Sequence, residues 1–560
     1  MATRRALGHA RTTVRPSLHA VLLVIVGLVA CRHGHDAATP DTSVDGGPQP
    51  ATLGALFPST PTSSTAAHAK LASRAMETWV YEQPSFAGKR LGYLRAGAIV
   101  QRHDEAAGHK ECPGGWYEIA PRGYVCIGKD ATLDLDDPIV KASARRPDLS
   151  AGLPYGYAVV RNDGSPFYTR IPTATEAKAL EHDWDHHFRT LTEAEQVEAQ
   201  EGGYPQLSSV PDGPLPIEPA AGVLAPWATD NKDDPLPPFL EHHGLVPNLS
   251  GLAWAQRVAF EGGTSCDPTD RSCVPVDAAR PKKKLGISFV DTLRVPAGDD
   301  TTARRYLLTT DLLLMPADRV RLVRGTSFHG VDLGAASGLE LPIVFVKKEH
   351  SHRYSFDGHR MKEGDELGWR SALSAGTKQR IVGSKHYTEL KDGSFVLVDD
   401  TVRLDPIKKL PKWGKDGERW IEVNLTKQTL LAVDGDKPVY ATLVSTGAGG
   451  LAPQSAENPY VTPRGIFRIH TKHTAATMDS TQPEAEFELR DVPYIQYFKD
   501  GYALHAAYWH DQFGMPRSHG CVNLAPIDAK WLFGFTKPEL PAEWHGVMQA
   551  LTGTIVWVHA

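Results

Sequence analysis

"RWIEVNLTKQTLLAVDGDKPVYATLVSTG", Arg419 to Gly447, is the stretch whose pattern settles the architecture of the C-terminal part of this chain. Its apolar residues fall in runs of strand length. Asp434-Gly435 divides two of those runs in the manner of a hairpin turn, so the stretch reads as three strands. Further on, "TPRGIFRIH" (462–470) and "YALHAA" (502–507) add strands, and "PIDAKWLF" (526–533) predicts a short helix opening at Pro526. Residues 418–560 are therefore expected to form a mostly-β domain.

Working outward, the chain of 560 residues is too long for one core, and at about 150 residues per domain it calls for three or four units. A hydrophobic content of 41% and a charged content of 22% are those of a soluble globular protein. With a formal net charge of -6 and no long basic run, nothing points to a nucleic-acid partner. Residues 76–130 break into short alternating runs. Gly115-Trp116-Tyr117-Glu118-Ile119 and Gly123-Tyr124-Val125-Cys126 resemble the last strands of bacterial SH3-like modules, which implies a small β-barrel that binds wall peptides or acts as a spacer. Residues 341–405 alternate again, with "KDGS" (391–394) as a hairpin turn, and predict a possible second SH3-like module.

The central region, 150–340, is mixed. "YGYAVVRND" and "RRYLLTTDLLLMP" read as strands, Ala174 to Ala199 has helical composition, and the Pro-rich stretch 204–247 reads as an inserted loop. His182 and His186 stand four apart, on one face if helical, a spacing that can serve zinc. No Glu follows the first His as in the HExxH pattern, so a polar helix face is the better reading and no metal or other cofactor is expected.

The first 31 residues predict an export signal. Four arginines precede "AVLLVIVGLVA", a run too short for the roughly 20 residues of a membrane span but suited to a signal peptide. "LVAC", Leu28 to Cys31, resembles the lipobox of bacterial lipoproteins, which implies lipidation at Cys31; cleavage after Ala30 is the alternative. Residues 32–75, rich in Pro, Ser, Thr and Gly, read as a disordered tether. The expected location is the cell envelope, lipid-anchored, on the outer membrane if the host has two membranes. Disulfides persist there. Cys112 with Cys126 and Cys266 with Cys273 are the economical local pairs, although spacing alone does not fix pairing.

Cys521 is then left over, in "RSHGCVNL" (517–524). A buried core thiol is one reading. An unpaired cysteine in an oxidising compartment is better explained by reactivity, and a thiol needs a base to activate it. His505, His510 and His519 are the candidates. His505 closes a strand sixteen residues upstream, a stiff platform for an imidazole. Gly520 allows a sharp turn whose amides could hold an oxyanion.

A histidine closing a strand, then a loop, then Ser-His-Gly-Cys-Val-Asn, resembles the signature of L,D-transpeptidases of the YkuD type. The opening strands and Thr462-Pro463-Arg464-Gly465 add to the likeness, which covers residues 418–560. It implies a β-sandwich-like catalytic domain, with Cys521 as nucleophile and His505 as proton donor and acceptor. The Ala506 carbonyl would orient His505, and the amides of Gly520 and Cys521 would form the oxyanion hole. Ser518, His519 and Asn523 are expected to shape the turn or contact substrate, Tyr494 to line the donor site, and Tyr508 and Trp509 to influence acceptor choice. The implied partners are peptidoglycan stem peptides and, through the lipid, a membrane. Water, or a wall-linked lipoprotein, as acceptor stays open, as does a non-enzymatic wall-binding role.

Overall fold

The stretch Arg419–Gly447 forms three antiparallel strands, Arg419–Asn424, Thr429–Asp434 and Lys437–Leu443, in sequence order. They lie in the computed structural model of the chain, which describes residues 69–160, 166–190, 276–278, 280–281, 285–295, 298–299, 304–323, 325–455, 458–480, 487–549 and 551–560. The signal and lipobox with Cys31, most of the tether, the 204–247 insertion and the pair Cys266 and Cys273 lie outside the described residues.

The run "TLLAVD" is buried on both faces. Leu430 and Ala432 join a cluster with Ile421 and Val556, whereas Leu431 and Val433 face another with Phe328, Ile343 and Phe345. Alternate side chains of a strand point to opposite sides, so a continuous apolar run marks a strand covered twice. Each such side chain contributes about 1.5–3 kcal/mol on burial. Ile555–His559 pairs parallel to Arg419–Asn424, and Gly465–Arg468 and Val331–Asp332 complete a six-stranded sheet. The facing layer is built from Thr471–Ser480, Phe487–Lys499, Tyr502–Ala506 and Val522–Leu524. Leu504 and Val522 of that layer meet Ile421 and Val556 across the core, with Ala529 and Leu532 of the helix Pro526–Phe535 packed among them. The result is a sandwich.

This facing layer does not end at the C-terminal region. Gly546–Met548 pairs with Thr471–Ser480 on one side and with Arg90–Leu94 of the N-terminal unit on the other. Phe487–Lys499 meets Gly286–Val295 of the central region. A 14-stranded sheet therefore crosses all three. The N-terminal strands share their core (Leu71, Val80, Leu94, Val125) with Trp544, and the disulfide Cys112–Cys126 is formed. At the junction sits Asp491, 3% exposed. Arg95 Nη1 is 2.5 Å from its Oδ1, and the hydroxyls of Ser288 and Thr310 donate to its Oδ2 at 2.6 and 2.5 Å. Tyr157 donates to its main-chain oxygen at 2.7 Å.

In the central region the run "RRYLLTTDLLLMP" folds back on itself, with Arg304–Thr309 pairing to Leu314–Pro316. The helical segment begins at Ala174 with a capping box between Thr173 and Glu176, but stops at Leu180 and restarts as Trp184–Thr190. His182 thus precedes the second helix while His186 lies within it, so the two do not share one helical face. Glu181 at the break is wholly buried and ion-paired with Arg304 and Arg319. Residues 343–404 form one seven-stranded sheet. Its "KDGS" turn is a three-residue loop rather than a two-residue one: Leu390 N–H donates to Ser394 O, and Gly393 takes a φ of 84°, the geometry of a turn ending in a glycine bulge.

Candidate active site

Tyr502–Ala506 and Val522–Leu524 lie side by side as a parallel pair in which His505 is opposite Asn523. Because side chains alternate, Cys521, two residues before Asn523, falls on the same face as His505. Cys521 is the free cysteine of the described residues and is half-buried. It packs with Tyr497 and Trp509 on one apolar cluster, and its Sγ lies 3.7 Å from Gly501 O.

His505 is 2% exposed, and its Nδ1 sits 3.0 Å from Ala506 O. A carbonyl only accepts, so Nδ1 carries the proton and Nε2 keeps its lone pair. Burial lowers the imidazole pKa to about 4, against a smaller upward pull from the Ala506 carbonyl. Burial likewise pushes the Cys521 thiol up to about 11, opposed by the Ala503 N–H. Among the described residues no carboxylate offsets either shift. At neutral pH both the thiol and the imidazole are therefore uncharged.

The turn before Cys521 is held from two directions. Ser518 Oγ accepts from Gly520 N–H at 3.0 Å and donates to Cys521 O at 2.5 Å. Thr462, the first residue of "TPRG", donates to Gly520 O and accepts from Gly447 N–H, both at 2.8 Å. Gly520 has a φ of 123°, and a Cβ there would lie 2.6 Å from the Tyr502 ring. Any other residue would be both strained and blocked.

Several expected roles change. The Gly520 amide is engaged by Ser518, so it is not a free oxyanion donor; among the described residues the Cys521 amide has no main-chain acceptor and remains available. Tyr494 does not line the site: it is 2% exposed, and its hydroxyl donates to Ala151 O at 2.5 Å. Tyr508 is equally enclosed at 1% exposure and donates to Arg490 O, which leaves the half-buried Trp509 as the aromatic near His505, ring centres 5.8 Å apart. His519 is exposed, edge-on to Tyr460 at 4.5 Å. His510 faces Asn523 at 2.9 Å and accepts from Gln512 N–H. Thr462 and Tyr502 were missed as site residues. Thr462 lies in a motif visible in the sequence, whereas nothing local marks Tyr502. Among the described residues no group of three or more His, Cys, Asp or Glu could hold a metal ion.

Residues 418–558 match the YkuD family, described as the L,D-transpeptidase catalytic domain. No curated protein matches the chain. Among solved structures, an L,D-transpeptidase from Xylanimonas cellulosilytica is 25% identical, over 28% of this chain and 64% of that one, with a TM-score of 0.20. One from Stackebrandtia nassauensis is 27% identical, over 28% and 58%, at 0.18. The catalytic domain of the Enterococcus faecium L,D-transpeptidase is 24% identical, over 26% and 98%, at 0.19. The chain thus spans less than two thirds of the length of the first two. The C-terminal quarter, residues 418–558, carries a YkuD-type L,D-transpeptidase catalytic domain.

Proposed function

We propose that this protein is a cell-wall L,D-transpeptidase that forms 3→3 peptidoglycan cross-links through a thioester on Cys521. The observation that carries the reading is the strand register that sets His505 opposite Asn523, two residues after Cys521, with His505 Nδ1 tied to Ala506 O. His505 Nε2 takes the thiol proton as Sγ attacks the carbonyl of the third residue of a stem tetrapeptide. The Cys521 amide donates to the oxyanion. When the tetrahedral species collapses, the C–N bond to the terminal D-alanine breaks and the imidazolium returns its proton to the leaving amine. A side-chain amine of a neighbouring stem then attacks the thioester, loses its proton to His505, and restores the thiol. Attachment to the envelope through lipid at Cys31 places the domain beside its substrate.

The test is mass spectrometry of products from tetrapeptide muropeptides incubated with the full-length chain or with Cys521→Ala. Cross-linked dimers lacking one D-alanine, absent from the variant, support the proposal. Tripeptide monomers alone make the enzyme an L,D-carboxypeptidase. No cysteine-dependent product leaves the wall-binding role, or a lipoprotein acceptor, in its place.

A further inference from the structure

The seven-stranded sheet 343–404 reaches the active-site loop through one side chain. Arg370, in the turn "GWRS", is 5% exposed, with a φ of 60° that non-glycine residues seldom adopt. Its Nη1 lies 2.5 Å from Asp511 Oδ1, and its Nη2 donates to the main-chain oxygen of the same residue. The guanidinium lies 3.6 Å from the centre of the Trp369 ring and 5.2 Å from that of Phe328. A planar fork meeting a carboxylate and a carbonyl while stacked on an indole is a task for arginine that lysine does poorly.

Asp511 directly follows His510. The His510 ring packs on Phe513 at 5.3 Å and on Trp509 at 6.0 Å, and Trp509 in turn lies against His505. Since His510 Nδ1 accepts from Gln512 N–H at 3.1 Å, the proton of the neutral ring is on Nε2. Nε2–H needs an acceptor, but the atom placed 2.9 Å from it is Asn523 Nδ2, while Asn523 Oδ1 is buried with no partner among the described residues. Turning the amide so that Oδ1 faces the ring satisfies both groups. A continuous chain then runs from Arg370 through Asp511 and His510 to Asn523, which is opposite His505 and two residues from Cys521.

We propose that Arg370 and Asp511 are positioning residues for acyl transfer, acting through His510 and Asn523, so that the sheet 343–404 is part of the working catalytic unit. The kinetic arm of the test rests on the transpeptidase reading; a second arm does not. In the full-length chain, Arg370→Met, Arg370→Lys, His510→Phe and the double variant Arg370→Met with His510→Phe are compared with wild type. Product formation from muropeptides gives kcat and KM, and alkylation by iodoacetamide against pH gives the reactivity of Cys521. Arg370→Met and His510→Phe are each expected to lower kcat about tenfold or more with KM within about twofold, as displacement of a reacting group would. The double variant should be no worse than either single, and Arg370→Lys should recover part of the loss. The alkylation profile should move in the same direction in both singles.

Unchanged kcat and an unchanged profile in folded variants, or fully additive losses, overturn the proposal. If Arg370→Met does not fold, His510→Phe, which keeps the ring packing and removes both nitrogens, decides alone. If wild type makes no product, the transpeptidase reading fails, and identical alkylation profiles would still overturn the positioning role.

Discussion

Two buried polar centres in this molecule are built on opposite principles. Around Asp491 every buried charge has a counter-charge or a hydrogen-bond donor. Burial alone would raise its carboxyl pKa, but the Arg95 guanidinium and the hydroxyls of Ser288 and Thr310 outweigh burial and hold it well below the usual range. Around Cys521 no charged partner is supplied among the described residues, so burial outweighs the single main-chain hydrogen bond that opposes it at each group and leaves both thiol and imidazole neutral. Paired burial fixes three regions of the chain to one another. Unpaired burial leaves a thiol and an imidazole uncharged, the state from which the proposed acyl transfer would start.

The most severe way to probe the second centre is to delete it. Cys521→Ala should reduce product formation by at least about 10⁴-fold, and His505→Gln by a comparable factor, because residues acting as a unit fail together. Chromatographic and mass assay of muropeptides reads this, and a His505→Gln variant with ordinary activity would break the comparison at its chemical end. At the first centre, Arg95→Met strands a buried carboxylate. It should cost about 3–5 kcal/mol of stability in denaturant unfolding, whereas Cys521→Ala should cost little; equal stabilities would remove the contrast.

Titration sharpens the contrast further. With its pKa near 11, Cys521 should keep gaining reactivity toward iodoacetamide well above pH 9, where an ordinary thiol has nearly levelled off. On the acid side, kcat/KM should fall only as pH drops toward about 4, where His505 takes up a proton and ceases to be a base. A reactivity plateau already present at pH 7 would mean a preformed thiolate–imidazolium pair instead.

The smallest effect concerns Lys472, an intermediate case. Its Nζ donates to Phe533 O at 2.6 Å and Thr536 O at 2.9 Å, at the end of the helix Pro526–Phe535. Burial lowers its pKa from 10.5 to about 7, with Glu539 pulling weakly the other way. Between those values the unfolded chain binds a proton that the folded chain does not, so stability should rise with pH across that window. Thermal unfolding should show a modest rise in Tm between pH 7 and 10 that is lost in Lys472→Met.

What could be read from the sequence, and what could not, follows from distance along the chain. The strands from Arg419 to Leu443 and the tight turn at Gly520 are local, and their patterns are written in neighbouring residues; the His505–Ala506 contact is as local but is legible only through the family resemblance. The burial of Tyr494 depends on Ala151, 343 residues away, and the Asp491 junction on Arg95, 396 residues away. The Arg370–Asp511 pair spans 141 residues. Nothing in "DVPYIQYF" or "GWRS" announces a partner so remote. The commitment of the Gly520 amide to Ser518 was local but still missed, because composition fixes the turn and not which of its donors stays free.

The shared strand order has a practical consequence for anyone who would work with the C-terminal quarter alone. A fragment beginning at residue 418 would lose Arg90–Leu94 from the edge of Gly546–Met548, and Trp544 would lose the N-terminal side chains it packs among. An open, apolar strand edge is a template for joining a second copy. Such a fragment would be prone to self-association in the test tube, for reasons that have nothing to do with its chemistry.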